Sequence, residues 1–198
     1  MRPRVGAVVL AAGASRRLGR AKQLVTHKGQ TLLAKTIAAA CDAGIDTIVV
    51  VLGAAAAEIR DALPPLPLHV HFVVNERWPE GMGTSIASGV RQIVALDPTL
   101  EGVMILVCDQ PALDAAVLKN FLHAAAADRS CIHLADFGSG RGPPVIFPSA
   151  LFDELFALRG DSGAREVHRR HATIVRAIPF PGGAIDIDTP ADLDRCDS

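Results

Sequence analysis

The 198-residue chain has no tyrosine and a single tryptophan. That scarcity excludes an aromatic stacking platform of the kind that holds single-stranded nucleic acid. Neither sign of charge is in excess: 20 Lys plus Arg oppose 21 Asp plus Glu, for a formal net charge of -1. A near-neutral balance argues against a nucleic-acid partner or a membrane-surface role. No apolar run approaches the ~20 residues that cross a bilayer. The basic start Met1-Arg2-Pro3-Arg4 mimics a leader, but its apolar stretch is only Val5 to Ala12, and the basic segment Arg16 to Lys22 follows at once. A first core strand is the expectation there. Cys41, Cys108, Cys131 and Cys196 lie too far apart for a zinc knuckle or a C-x-x-C redox pair. Such scattered thiols read as reduced, cytoplasmic and mostly core-filling. The seven histidines form no metal or triad spacing, and Ser15 has no G-x-S-x-G frame.

What is present is apolar material, at 49 % of residues against 21 % charged. That supports a sizeable core and a single α/β domain over 1–198. Strand and helix alternate. Val5 to Leu10 is a nearly continuous apolar run, as expected of a strand buried on both faces. Leu33, Ile37, Ala40 and Cys41 recur at helical spacing, and Gly44 closes that helix. Strands follow at Thr47 to Leu52, His69 to Val74 and Val103 to Val107. Helices are expected around Glu58 to Leu63, stopped by Pro64 and Pro65, then over Ile86 to Val94 and Val117 to Leu122. This rhythm implies right-handed crossovers and a mainly parallel, twisted sheet with helices on both faces. The second half is less regular. Cys131 to Ala135 and Val145 to Phe147 read as strands around the turn Gly138 to Gly142. Helices follow near Leu151 to Leu158 and Gly163 to His171, then strands at Ile174 to Ile178 and Ala184 to Ile187. Thr189 suits an N-cap, with Pro190 at the first helical position.

Four places could carry chemistry. The first strand runs into Leu10-Ala11-Ala12-Gly13, after which three arginines and Lys22 lie within residues 16–22. Small residues at a strand end let backbone N–H groups approach a ligand, and the cations suit a triphosphate; a solvated basic loop is the plain alternative. It is neither a Walker loop nor G-x-G-x-x-G. Asp109 follows the fourth strand, where a carboxylate can hold Mg²⁺ or simply cap a helix or turn. Asp186 and Asp188 fall at period two, on one side of a strand, and repel unless a cation or hydrogen bonds stabilise them. Gly81, Gly83, Thr84 and Ser85 open a helix and could offer N–H groups to an anion or a base edge, or serve as ordinary capping.

Taken in order, these segments resemble a known family. Leu10-Ala-Ala-Gly-Ala-Ser-Arg-Arg-Leu-Gly-Arg-Ala-Lys22 is similar to the L-A-A-G-x-S-x-R-M-G-x-x-K signature of nucleotidyltransferases. Asn75 to Ile86, Cys108-Asp-Gln-Pro111, Arg141 to Phe147, Gly160 to Arg165 and Asp186 to Pro190 narrow it to the molybdenum cofactor cytidylyltransferases and their relatives in purine catabolism. Leu18 stands for the usual Met, a volume-conserving change, and Thr31 for a usual Pro. The resemblance implies a Rossmann-like nucleotidyltransferase domain that moves CMP from CTP to the terminal phosphate of molybdopterin, with Mg²⁺ as cofactor and pyrophosphate as product. It implies nucleotide contacts from Leu10, Ala11, Ala12 and Gly13, catalytic cations at Arg16 and Lys22, and metal binding at Asp109 and Asp188. Gly81, Gly83, Thr84 and Ser85 would line the base and sugar, and Arg141 to Arg165 the pterin. Other readings are a guanylyltransferase, a transferase for a different phosphate acceptor, or a carrier delivering cofactor to a molybdoenzyme of xanthine dehydrogenase type. Guanylyl relatives carry L-A-G-G, so Ala12 favours CTP.

Overall fold

The structure is a computed structural model that describes residues 3–15, 18–187 and 192. Strand β1 (Val5–Ala11) is buried almost throughout. A short antiparallel hairpin, β2 (Thr26–His27) and β3 (Gln30–Thr31), turns through Lys28 and Gly29, both at positive φ. Then follow α1 (Leu32–Asp42), β4 (Ile48–Leu52), α2 (Ala56–Ala62), β5 (Val70–Val74), α3 (Met82–Leu96) and β6 (Gly102–Val107). The second half gives α4 (Ala115–Ala127), β7 (Ile132–Asp136), β8 (Arg141–Pro148), α5 (Phe152–Phe156), α6 (Ala164–Arg170) and β9 (Val175–Pro179). Local chemistry sets the helix starts. Thr31 Oγ1 accepts from Ala34 N–H at 3.3 Å to open α1, and Asp114 Oδ1 accepts from Val117 N–H at 2.9 Å to open α4.

The main sheet has the order β5-β4-β1-β6-β8-β7-β9. Every neighbouring pair is parallel except those of β8, which runs antiparallel to β6 and β7. Side chains alternate across β1. Ala7, Val9 and Ala11 join one apolar cluster with Leu33, Ile37, Leu118 and Phe121 of α1 and α4. Val8 joins the other, with Ile86, Val90 and Ile93 of α3. Helices thus cover both faces, and the expected mainly parallel α/β architecture is the one observed.

The expected strand at Ala184 to Ile187 does not form. Pro181–Ala184 makes a 3-10 turn, and the Ile187 N–H goes to the Asp109 carbonyl at 2.9 Å in place of a sheet partner. Ile187 is apolar because it is buried with Leu18, Val25 and Leu32. The period-two argument for Asp186 and Asp188 therefore loses its strand. Asp188 and the helix start at Thr189 and Pro190 lie outside the described residues.

Candidate active site

The chain leaves β1 with parallel neighbours on both sides, β4 and β6, reached by crossovers to either side. Ligands of open α/β sheets bind beyond the carboxyl ends of strands at such a switch point. The segment after Ala11 is fastened there from within. Gln23 is buried, and its Nε2 donates to the carbonyls of Ala11 at 2.8 Å and Gly13 at 2.9 Å. The Lys22 N–H donates to Ser15 Oγ at 3.0 Å, and Ser15 takes a left-handed φ of 50°. Gly13 stands at the open rim, since nothing lies within 4 Å of where a Cβ would be. The loop bounds a concavity of about 250 Å³ with Ala54, Ala55 and Glu58 on its other wall. Arg16, expected among the catalytic cations, lies outside the described residues.

Asp109 sits two residues beyond β6. Its Oδ2 accepts from Lys22 Nζ, in a pair whose side chains are only 16 % and 21 % exposed. Its other carboxylate oxygen, Oδ1, is buried with no hydrogen-bond partner. A buried, unpaired carboxylate oxygen is costly unless a cation or donor meets it. Asp109 lines a second concavity of about 360 Å³, and Asp186 lines it too. One or two carboxylates completed by phosphate oxygens and water suit Mg²⁺. Among the described residues no three His, Cys, Asp or Glu side chains gather for a metal, so an all-protein transition-metal cage finds no support there. Burial, and after it the Asp109 charge, pushes the Cys108 thiol up to about 12.

Gln110 comes next and is also buried. Its Nε2 donates to the carbonyls of Pro143 at 3.0 Å and Gly183 at 3.1 Å, while Oε1 is buried without a partner. An acceptor left so forfeits about 1–3 kcal/mol. Leu10 also lines this second concavity. Ala11 and Ala12 are buried beside it, the Ala12 carbonyl accepting from Ala54 N–H at 3.0 Å. The concavity also carries Arg141, Arg165 and His168, and an adjoining groove of about 450 Å³ adds Arg169. Burial first, then the charges of Arg165 and Arg141, hold His168 below the ordinary histidine value.

The segment Gly81 to Ser85 has a different surrounding. Gly81 has φ +122°, and a Cβ on it would lie 2.3 Å from the Gly160 carbonyl group. A Cβ on Gly83 would lie 2.6 Å from the Ser162 carbonyl oxygen, and the Gly83 N–H donates to the Gly160 carbonyl at 2.9 Å. The two glycines thus admit the backbone of residues 159–162. Thr84 and Ser85 are buried, and their hydroxyls accept from Asn75 Nδ2 at 2.9 and 3.0 Å. Met82 and Ile86, from the same helix start, line the 360 Å³ concavity. Sequence reasoning passes over Gln23, Asn75 and Gln110 as site builders. A neutral amide gives no charge or period signal; only its fixed partners mark it out.

Fold and site together are those of a nucleotidyltransferase: a mainly parallel sheet with a cation–carboxylate pair at its switch point and the carboxylate lining a cleft. More narrowly, the chain belongs to the MobA-like NTP transferase domain family, whose model matches residues 7–174. It is 31% identical over 195 residues to the purine catabolism protein PucB of Bacillus subtilis, covering 94% of this chain and 93% of that one. It is also 31% identical over 206 residues to nicotine blue oxidoreductase of Paenarthrobacter nicotinovorans, covering 98% and 96%. Among solved structures, Rv0371c of Mycobacterium tuberculosis H37Rv superposes with a TM-score of 0.83 at 29% identity, covering 100% of this chain and 99% of that one. A manganese complex of the same protein gives a TM-score of 0.78 at 28% identity, covering 99% and 98%.

Proposed function

We propose that the protein transfers CMP from CTP to the terminal phosphate of molybdopterin-type cofactor and releases pyrophosphate. The observation that carries this reading is the Lys22–Asp109 pair with its unpartnered Asp109 Oδ1, beyond the end of β6, with Asp109 lining the 360 Å³ cleft. The nucleotide occupies the loop side, where Gly13 leaves the backbone open. The acceptor occupies the cleft that carries Arg141 and Arg165. The purine-catabolism relative from Bacillus subtilis and the manganese complex of Rv0371c support a metal-using member of this branch.

An acceptor phosphate oxygen attacks the α-phosphorus. A new P–O bond forms as the bond to the pyrophosphate oxygen breaks, and the electron pair leaves with pyrophosphate. The nucleophile is already ionised, so no strong base is needed. What must be overcome is repulsion between anions, together with their alignment. Lys22 holds positive charge beside the triphosphate, with Arg16 as a second proposed cation. Asp109, with Asp186 or Asp188, would hold Mg²⁺, which supplies charge neutralisation and polarises the reacting phosphate. The recipient of the product is a molybdoenzyme of xanthine dehydrogenase type, and the compartment is the cytoplasm. Among the described residues no helix is long and apolar enough to cross a membrane.

Labelled pyrophosphate release from CTP, GTP and ATP with purified cofactor tests the reading. Release with CTP well above the other two is expected. Equal use of CTP and GTP would remove the cytidylyl assignment, and no release with any nucleotide would remove the transferase.

A further inference from the structure

Three successive carbonyls after β1 are spent on donors within the fold. Those of Ala11 and Gly13 accept from Gln23 Nε2 at 2.8 and 2.9 Å, and that of Ala12 accepts from Ala54 N–H at 3.0 Å. In a planar trans peptide the C=O of one residue and the N–H of the next point in opposite directions. Pairing the Gly13 carbonyl with Gln23 therefore turns the Ala14 N–H away from that side chain. Gln23 is 1 % exposed, whereas Ala14 is exposed and lines the 250 Å³ loop concavity. No described residue accepts from the Ala14 N–H. Arg20 lines the same concavity, and Glu58 carries the opposite charge on the facing wall, so an anion is drawn to the loop side.

The Gln23 amide has one orientation. Rotating it would set Oε1 against two carbonyl oxygens. As it stands, Oε1 accepts from the Ser15 hydroxyl at 3.4 Å, and Ser15 Oγ accepts from the Lys22 N–H at 3.0 Å. One buried side chain thus fixes the peptides at both ends of the segment 11–15. Without its two N–H bonds those peptides would lose the contacts that set their direction.

We propose that Gln23 is a positioning residue: by holding the Ala11 and Gly13 carbonyls inward it presents the Ala14 N–H to the polyphosphate of the nucleotide. Gln23 itself touches no substrate. The proposal rests on the reading of the loop as the nucleotide side and names the residue that gives the loop its donor.

Tripolyphosphate, which has no base, is the probe. In ¹⁵N-labelled unmutated protein its titration should move the Ala14 amide proton downfield. An Ala14 signal that stays in place at saturation, or no binding of tripolyphosphate, overturns the proposal without recourse to any variant. Gln23→Met keeps the length of the side chain and removes both donors. It should weaken tripolyphosphate about tenfold, the size of one neutral hydrogen bond, and reduce the Ala14 shift. KM for CTP should rise by a similar factor. A purely structural brace would lower Tm, and kcat with the folded fraction, yet leave KM and the tripolyphosphate affinity of the folded protein unchanged; that result overturns the proposal. CTP-dependent pyrophosphate release is measured on the same preparation. Its absence would refute the transferase reading and leave the tripolyphosphate comparison standing.

Discussion

Replacing Asp109 by Asn keeps the size of the side chain and removes its charge. Two effects oppose one another in the folded state. The ion pair with Lys22 is lost, in a site whose side chains are 16 % and 21 % exposed. At that depth a close pair has a gross attraction of about 4 kcal/mol, most of it offset by desolvation of the two groups. The buried Oδ1 charge is lost as well, and with it the penalty of an anionic oxygen that has no partner. The net change in stability should stay within about 1 kcal/mol, or roughly 2–4 °C in Tm for a chain of this size. Turnover should change far more. A carboxylate that holds the metal against the phosphates is worth at least a hundredfold, about 2.7 kcal/mol in the barrier. A protein that loses about 1 kcal/mol from a typical 5–15 kcal/mol stays folded, so the rate cannot fall that far through unfolding. The assay is pyrophosphate release across a Mg²⁺ titration, beside thermal melts. Near-normal Mg²⁺-dependent turnover in a folded Asp109→Asn protein would refute the metal role of this carboxylate.

Lys22→Ala should lower the saturated rate by more than it weakens CTP binding, because charge on the departing pyrophosphate grows toward the transition state; a fall in affinity alone, measured by steady-state kinetics, would make Lys22 a binding residue. Gly83→Ala has a sign that depends on its surroundings. In an open helix the change gains about 1 kcal/mol, but here the new Cβ meets backbone of Arg159 and Ser162 at 2.6–2.9 Å, and a loss of about 1–3 kcal/mol in urea unfolding is expected. His168, held below its ordinary value, makes the unfolded chain bind the proton first as pH falls. Stability should therefore decrease as pH drops below about 6.5 and continue to do so down to the folded-state value, and His168→Gln should flatten that part of a denaturation series run from pH 8 to 5.

The sheet is legible in the sequence where apolarity reflects burial between two helical layers. Val5 to Leu10, Thr47 to Leu52 and Val103 to Val107 read as strands because both of their faces are covered, and β1, β4 and β6 occupy nearly those residues. For β8 the sequence suggests only Val145 to Phe147, because Pro143 and Pro144 lack the N–H that a ladder requires. The strand begins at Arg141 nonetheless. Its pairing with β7 shifts register between Leu134 and Ala135, so Ala135 faces Gly142, Leu134 faces Val145, and the prolines fall in the irregularity. Ala184 to Ile187 misleads in the opposite way. Its apolar residue packs on Leu18, Val25 and Leu32, a contact across the fold that no local period encodes. Among the site residues, charge makes Lys22 and Asp109 visible. Gln23, Asn75 and Gln110 depend on partners that only folding supplies.

The placement of the two orphan oxygens follows from where the sheet stops. β6 ends at Val107, so residues 108–111 have no ladder to hold them. They are held from elsewhere in the chain: Ile187 N–H on the Asp109 carbonyl, Pro143 and Gly183 carbonyls on Gln110 Nε2, Lys22 on Asp109 Oδ2, and Lys35 Nζ on the Pro111 carbonyl. Asp109 Oδ1 and Gln110 Oε1 are what remain, on adjacent residues that line one cleft. Leaving them unpaired lowers stability, and contacts made up to 87 residues away in sequence keep them in place all the same. Removing Lys35, whose Nζ holds the Pro111 carbonyl, should displace the loop and weaken every function of the cleft together. Asp109→Asn removes the Lys22 contact together with the orphan charge, so a loss of turnover is assigned to the carboxylate only where the thermal melt shows the fold retained.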